Sequence, residues 1–158
     1  MNIFYLSSDP TEAAKYHCDK HCVKMIVEYA QLMSTAHRLT DSPIKEKCYR
    51  ATHKNHPSSI WVRSSQQNYR WLWYCFAALG QEFLERRNKP HKTYTKLLAT
   101  LKNIPDIPDE PFSEPPQCMP DYCKVVGDSV FAYRRYYRME KAGFAKWEWG
   151  KGETPYWW

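Results

Sequence analysis

Apolar residues recur with a helical period over long stretches of this chain. Cys18, Cys22, Met25, Ile26, Tyr29, Leu32, Met33 and Ala36 fall on one side of a helix predicted over about Pro10–His37. Asp9 or Ser8 caps its start and Pro10 suits its first turn. A second helix is predicted from Ser58 or Ser59 to about Arg87, ended by Asn88-Lys89-Pro90. A third covers about Lys92–Lys102, and a fourth about Asp128–Gly143.

Between them, residues 40–57 show no sustained period and read as a loop. Residues 103–120 hold six prolines, which rules out regular structure and suggests a wall or lid laid over the helices. Ile3–Leu6 forms a short extended N-terminal arm. The tail AKWEWGKGETPYWW is too aromatic to be a solvated appendage and is expected to pack back on the body. With no internal repeat and no linker, the expectation is one all-α domain over 1–158: a bundle of about four helices, with the Pro-rich loop before the last.

The polar side of the first helix changes the picture. At about 100° per residue, His17, His21, Lys24, Glu28, Gln31 and Thr35 lie within about 40° of one line. One reading is an ordinary solvated stripe. Solvated stripes, however, are built from Glu, Lys and Arg at i,i+4 spacing. This one mixes two histidines, a lysine, a glutamate, an amide and a hydroxyl, a set that can donate, accept and move protons near neutral pH. The chemical expectation is that His17, His21, Lys24 and Glu28 converge on a shared, partly enclosed cavity. Glu28 would act as base or electrostatic stabiliser, and the histidines would exchange protons or hold phosphate.

A metal site competes with that reading. His17 and His21 stand at i,i+4, as two zinc ligands on one helix would. Cys18 and Cys22 point about 100° away, toward the core, so one helix cannot aim all four at one ion. The expectation is no cofactor, with zinc on His17 and His21 as the alternative.

Further candidates follow along the chain. Thr52-His53-Lys54-Asn55-His56-Pro57 precedes a helix start, where free N–H groups and the dipole favour an anion; a capping turn with exposed histidines is the other reading. Asn68 interrupts the stripe of Trp61, Leu72, Cys75 and Leu79. It is either a satisfied core amide or a ligand contact at a groove floor. Arg63 and Arg70 interleave with Trp61, Tyr69, Trp71 and Trp73, an arrangement able to stack bases beside cations. Core packing is the reading for Trp71 and Tyr74. His91 and Lys92 open the third helix. Arg134, Arg135 and Arg138 on the fourth make either a phosphate-contacting face or a solvated one.

Charge and cysteine content narrow the partners and the compartment. The formal net charge is +6, which favours an anionic partner, DNA or a nucleotide. The N-terminus lacks the basic start and long apolar run of a signal peptide, and no stretch reaches the roughly 18 apolar residues of a membrane span. Six cysteines are then expected as reduced thiols in a cytoplasm. Oligomeric state is not encoded legibly.

The pattern IFYLSSDPTEAAKYHCDKHCVKMIVEYAQLMSTAHR followed by NHPSSIWVRSSQQNYRWLW resembles a family of small virus-encoded proteins without a settled function, which would place the chain in a host cytoplasm. In layout it is also similar, more remotely, to the pyrimidine-dimer DNA glycosylases of the endonuclease V type: a short arm, a helix with His and Glu, a long basic helix, an aromatic C-terminus. That resemblance implies an all-α protein that flips a nucleotide and cleaves its glycosidic bond, with Glu28 in place of the helix glutamate. The attacking group there is the N-terminal amine of a small residue exposed after methionine removal. Methionine is seldom removed before a side chain as large as Asn2. The version that remains is hydrolytic, with Glu28 positioning water. Lys24 and Arg63 would supply positive charge, with Trp61 and Asn68 recognising the base. Gln31, Thr35, Asn55, His56, His91 and Lys92 would complete the substrate contacts.

Overall fold

The computed structural model describes residues 1–158. It contains six α-helices and no strands: α1 Pro10–Tyr16, α2 Asp19–Leu39, α3 Pro57–Ser64, α4 Gln66–Arg87, α5 Lys92–Lys102 and α6 Ser129–Tyr136. The all-α expectation stands, but two of the long helices foreseen are each split in two. The fourth is shorter than foreseen and continues from α6 into a π turn over Tyr137–Lys141.

The first split falls at His17 and Cys18, whose backbones are extended. Neither residue is a local helix breaker; distant groups satisfy the freed backbone. The buried guanidinium of Arg86 donates to the carbonyls of Lys15 (2.9 Å) and His17 (2.8 Å). Asp19 N–H donates to Lys146 O at 2.8 Å. Asp19 Oδ2 accepts from the N–H groups of Glu148 and Trp149. The second split, at Ser65, has a local cause. Ser65 caps α4 by accepting from Gln67 N and Asn68 N, a serine N-cap embedded in an apolar-periodic run.

α4 is the central helix, and α1, α2, α3 and α5 all pack on it. Gly80 makes room for α5, because a Cβ there would collide with the ring of Tyr94. α4 ends at Asn88 in the left-handed region (φ 54°), whose N–H returns to Leu84 O.

One contiguous core of 33 buried residues runs from Ile3 to Trp157. The arm Ile3–Leu6 is buried within it, held by Tyr29 Oη accepting from Phe4 N (3.1 Å) and by Arg134 Nε donating to Leu6 O (2.8 Å). The aromatic tail does fold back: Trp147 and Trp157 are buried, and Trp147 Nε1 donates to Tyr16 O. The Pro-rich segment lies across the junction of α3 and α4. Gln66 N donates to Pro108 O, and Ser65 Oγ to Glu110 O. No helix is long and apolar enough to cross a membrane.

Candidate functional site

The four residues expected to share a cavity diverge. His17 is fully buried and both ring nitrogens are engaged. Nδ1 lies 2.7 Å from Ala13 O and must donate to it, which leaves Nε2 to accept from Tyr29 Oη at 2.7 Å. His21 stacks on Phe4 with ring centroids 4.3 Å apart, and its Nδ1 pairs with Tyr137 Oη at 2.6 Å. Burial drives both imidazoles toward the neutral form. The His17 pKa falls to about 4, and that of His21 to about 3 with the charges of Lys141 and Lys24 adding to the effect.

A third histidine, His37, repeats the motif between Ser42 Oγ and Tyr69 Oη. Tyr69 Oη donates to Leu101 O, so His37 Nε2 is the donor of its pair, the opposite tautomer from His17. These histidines are core hydrogen-bonding groups. The stripe predicted from the angular pattern does not survive the break at His17, and Tyr29 and Tyr137 draw the two rings inward. The zinc alternative finds no support in the ligand geometry: no three His, Cys, Asp or Glu side chains lie together in a metal-holding arrangement.

Lys24 and Glu28 do stay on the surface of α2. Lys24 is 68% exposed, while Glu28 is only 20% exposed, with Oε1 3.9 Å from Lys24 Nζ. Glu28 accepts no hydrogen bond from the protein. The other acidic residue of α2, Asp19, is fully committed to Arg86 and the tail.

Further along the same helix, Gln31 is half-buried and Thr35 buried. Thr35 Oγ1 accepts from Thr52 N (3.1 Å) and donates to Thr52 O (3.3 Å). That reciprocal pair fastens the 52–56 loop to α2 about 10 Å, two helical turns, beyond Glu28. Arg63 braces the loop from the other side, donating to Lys54 O (2.8 Å) and Ser59 Oγ (3.0 Å). His56 caps α3 by accepting from Ser58 N. Its pKa is lowered by burial first, then by the charges of the Met1 α-amine and of His53. Asn55 is exposed. The strip Lys24, Glu28 and Gln31 is what remains of the stripe that sequence reasoning drew, with Asn55 and His56 on the loop fastened beyond it. It is an open face: none of the four main hollows is lined by Glu28, Gln31 or His56.

Other candidates have structural work. Asn68 is buried with its amide satisfied: Nδ2 donates to Trp61 O and Ser113 Oγ, and Oδ1 accepts from Ser113 N. Trp61 Nε1 donates to Ser113 O. Both residues clamp the Pro-rich segment and leave no free polar group for a base. His91 caps α5 through Thr93 N and sets its ring edge against Phe83, while Lys92 is exposed. Arg134 and Arg138 both bind the tail, Arg134 half-buried and Arg138 still exposed. Arg134 lies over the rings of Tyr16, Tyr156 and Trp157, and Arg138 donates to Trp157 O. Trp71 is buried as expected, but Tyr74 is 55% exposed.

Sequence reasoning missed Arg86, which joins α4, the α1–α2 break and Asp19; its place at the end of a basic run gave no sign of burial. It also missed a hollow of about 520 Å³ between Tyr16, Glu82, Glu85, Lys151 and Tyr156, which only the folded tail creates.

No protein family, no curated protein sequence and no solved structure matches this chain.

Proposed function

We propose that the protein engages a nucleic-acid strand or nucleotide along the α2 face from Lys24 to His56, and that Glu28 hydrolyses its base–sugar bond. The observation that carries this reading is the state of Glu28: a half-buried side chain on the surface of α2 whose carboxylate has no hydrogen-bond donor from the protein and only one ammonium, Lys24, at 3.9 Å. A carboxylate that no protein donor occupies keeps its acceptor capacity for water or a ligand. In a hydrolytic cleavage it would orient the attacking water and stabilise the oxocarbenium-like state. Lys24, Arg63 and the Met1 amine would attract the phosphates, and Asn55, Gln31 and His56 would contact the nucleotide. The net charge of +6 fits such a partner. The layout resemblance to the endonuclease V type of glycosylase is what suggests cleavage of the base–sugar bond. Replacing Glu28 with Gln tests it: base release is to be lost while the melting temperature is retained.

One observation favours a second reading, a non-catalytic nucleotide-binding protein. The burial of His17 and His21 leaves no histidine beside Glu28 for a proton relay. Under that reading a nucleotide is retained through purification and is not turned over, which native mass spectrometry would show.

A further inference from the structure

A shallow notch of about 80 Å³ opens between the first half of α4 and the end of α5. Its lining is Tyr69, Arg70, Trp73, Tyr74, Lys102 and Ile104. The floor is rigid: Tyr69 is buried and donates to Leu101 O, and Trp73 Nε1 donates to Leu98 O at 3.0 Å. Tyr74 stands edge-on to Trp73, ring centroids 5.4 Å apart and interplanar angle 73°, with over half its surface in solvent. The rim carries two cations and no carboxylate. Lys102 Nζ lies 5.9 Å from the Trp73 ring centroid. Both cations are exposed, and neither Arg70 nor Lys102 makes an ion pair.

We propose that this notch seats one unpaired nucleotide of a single strand, its base against the exposed face of Tyr74 and the rim of Trp73, its phosphate between Arg70 and Lys102. Several features argue for that occupant. Surface cations without ion pairs are ordinary, but two beside an aromatic pair of which Trp73 is held in place, with no acid between them, match a ligand that is aromatic and anionic at once. Trp73 is held by its own hydrogen bond, so little ordering cost is incurred on binding. The notch holds only a few waters' worth of space, so it grips the edge of one base rather than enclosing a free nucleotide. An apolar peptide would leave both cations unpaired, and a purely anionic polymer would leave Tyr74 uncovered.

This inference rests on the reading that the partner is a nucleic acid, but not on Glu28 being catalytic. The test is the affinity of the full chain for a short fluorescein-labelled oligothymidylate, followed by anisotropy over a series of salt concentrations, with inorganic polyphosphate as competitor. Tyr74→Ala is expected to weaken binding about tenfold with an unchanged salt slope, as for loss of one stacked base. Arg70→Ala and Lys102→Ala are each expected to weaken binding and to reduce the log–log salt slope by about 0.7. Because these side chains are exposed, the variants should melt with the wild type. An unchanged affinity in Tyr74→Ala, or polyphosphate displacing the oligomer at equal phosphate concentration, overturns the notch. Absence of oligomer binding at low salt overturns both the notch and the nucleic-acid reading. Retained binding by Glu28→Gln without base release concerns Glu28 alone.

Discussion

Tyr29 sets its hydroxyl 2.7 Å from Nε2 of His17, in a site where neither side chain meets solvent. The same hydroxyl accepts from Phe4 N, so the imidazole, the phenol and the N-terminal arm form one chain of hydrogen bonds. That chain requires a neutral ring: a protonated His17 would turn Nε2 from acceptor to donor against Tyr29.

Acid should therefore destabilise the fold before the carboxylates titrate. His17 and His21 ionise near 4 and 3 in the folded protein, against 6.5 ordinarily. A lowered folded pKa means stability that is complete above 6.5 and is lost as pH falls, because the unfolded chain takes up protons first. With both residues contributing, the slope near pH 5 should approach about 2.7 kcal/mol per pH unit. Urea midpoints measured between pH 7 and 5 should show it. His17→Gln should lower stability at pH 7 and reduce that slope by about 1.4 kcal/mol per pH unit; an undiminished slope would refute the assignment.

Arg86 is 5% exposed and joins the carbonyls of Lys15 and His17 to the carboxylates of Glu82 and Asp19. Its removal leaves Asp19 buried and uncompensated. Arg86→Ala should cost about 3–5 kcal/mol, and Arg86→Lys should not restore it, since one ammonium cannot reach the same spread of acceptors. Limited proteolysis should then cut first near residues 16–19.

Asn68 supports the Pro-rich segment through Ser113. Asn68→Ala should lose about 2 kcal/mol, read as a lower melting temperature. Affinity for nucleic acid, measured below the new melting temperature, should be unchanged. A loss of affinity with stability intact would restore Asn68 as a ligand contact.

His56 reports on the N-terminus. Its pKa is depressed by burial and then by the Met1 amine and His53. Acetylating the amine removes one of the positive charges, so the His56 titration followed by NMR should move upward. An unmoved titration would place the amine elsewhere.

The helical class, the capping at Asp9, the Pro-rich cover and the returning tail were legible because each rests on local pattern: period, cap chemistry, proline content and aromatic density. The break at His17 was not, because its causes are Arg86, 69 positions away, and Lys146 in the tail. An angular projection assumes an unbroken helix, so it placed His17 on a common face with Glu28; His21 does share α2 with Glu28 but is covered by Phe4 and Tyr137, which lie far away in the sequence. The break at Ser65 was readable, since a serine followed by two glutamines is a plausible cap, but the continuing apolar period masked it. Of the expected stripe, Lys24, Glu28 and Gln31 lie along the outer side of α2, but on an open face and not in the enclosed cavity that the pattern suggested. The roles of Asn68 and Trp61 depended on Ser113, whose approach no local rule predicts.

Glu28 is the group on which the functional account turns, and base release is the direct readout. The purified chain is to be incubated with single- and double-stranded oligonucleotides carrying normal, dimerised and alkylated bases, and free base is to be quantified by mass spectrometry. The account predicts release from at least one substrate by the wild type and none by Glu28→Gln, with equal melting temperatures. Equal release by the two proteins, or none from any substrate despite binding, would contradict it.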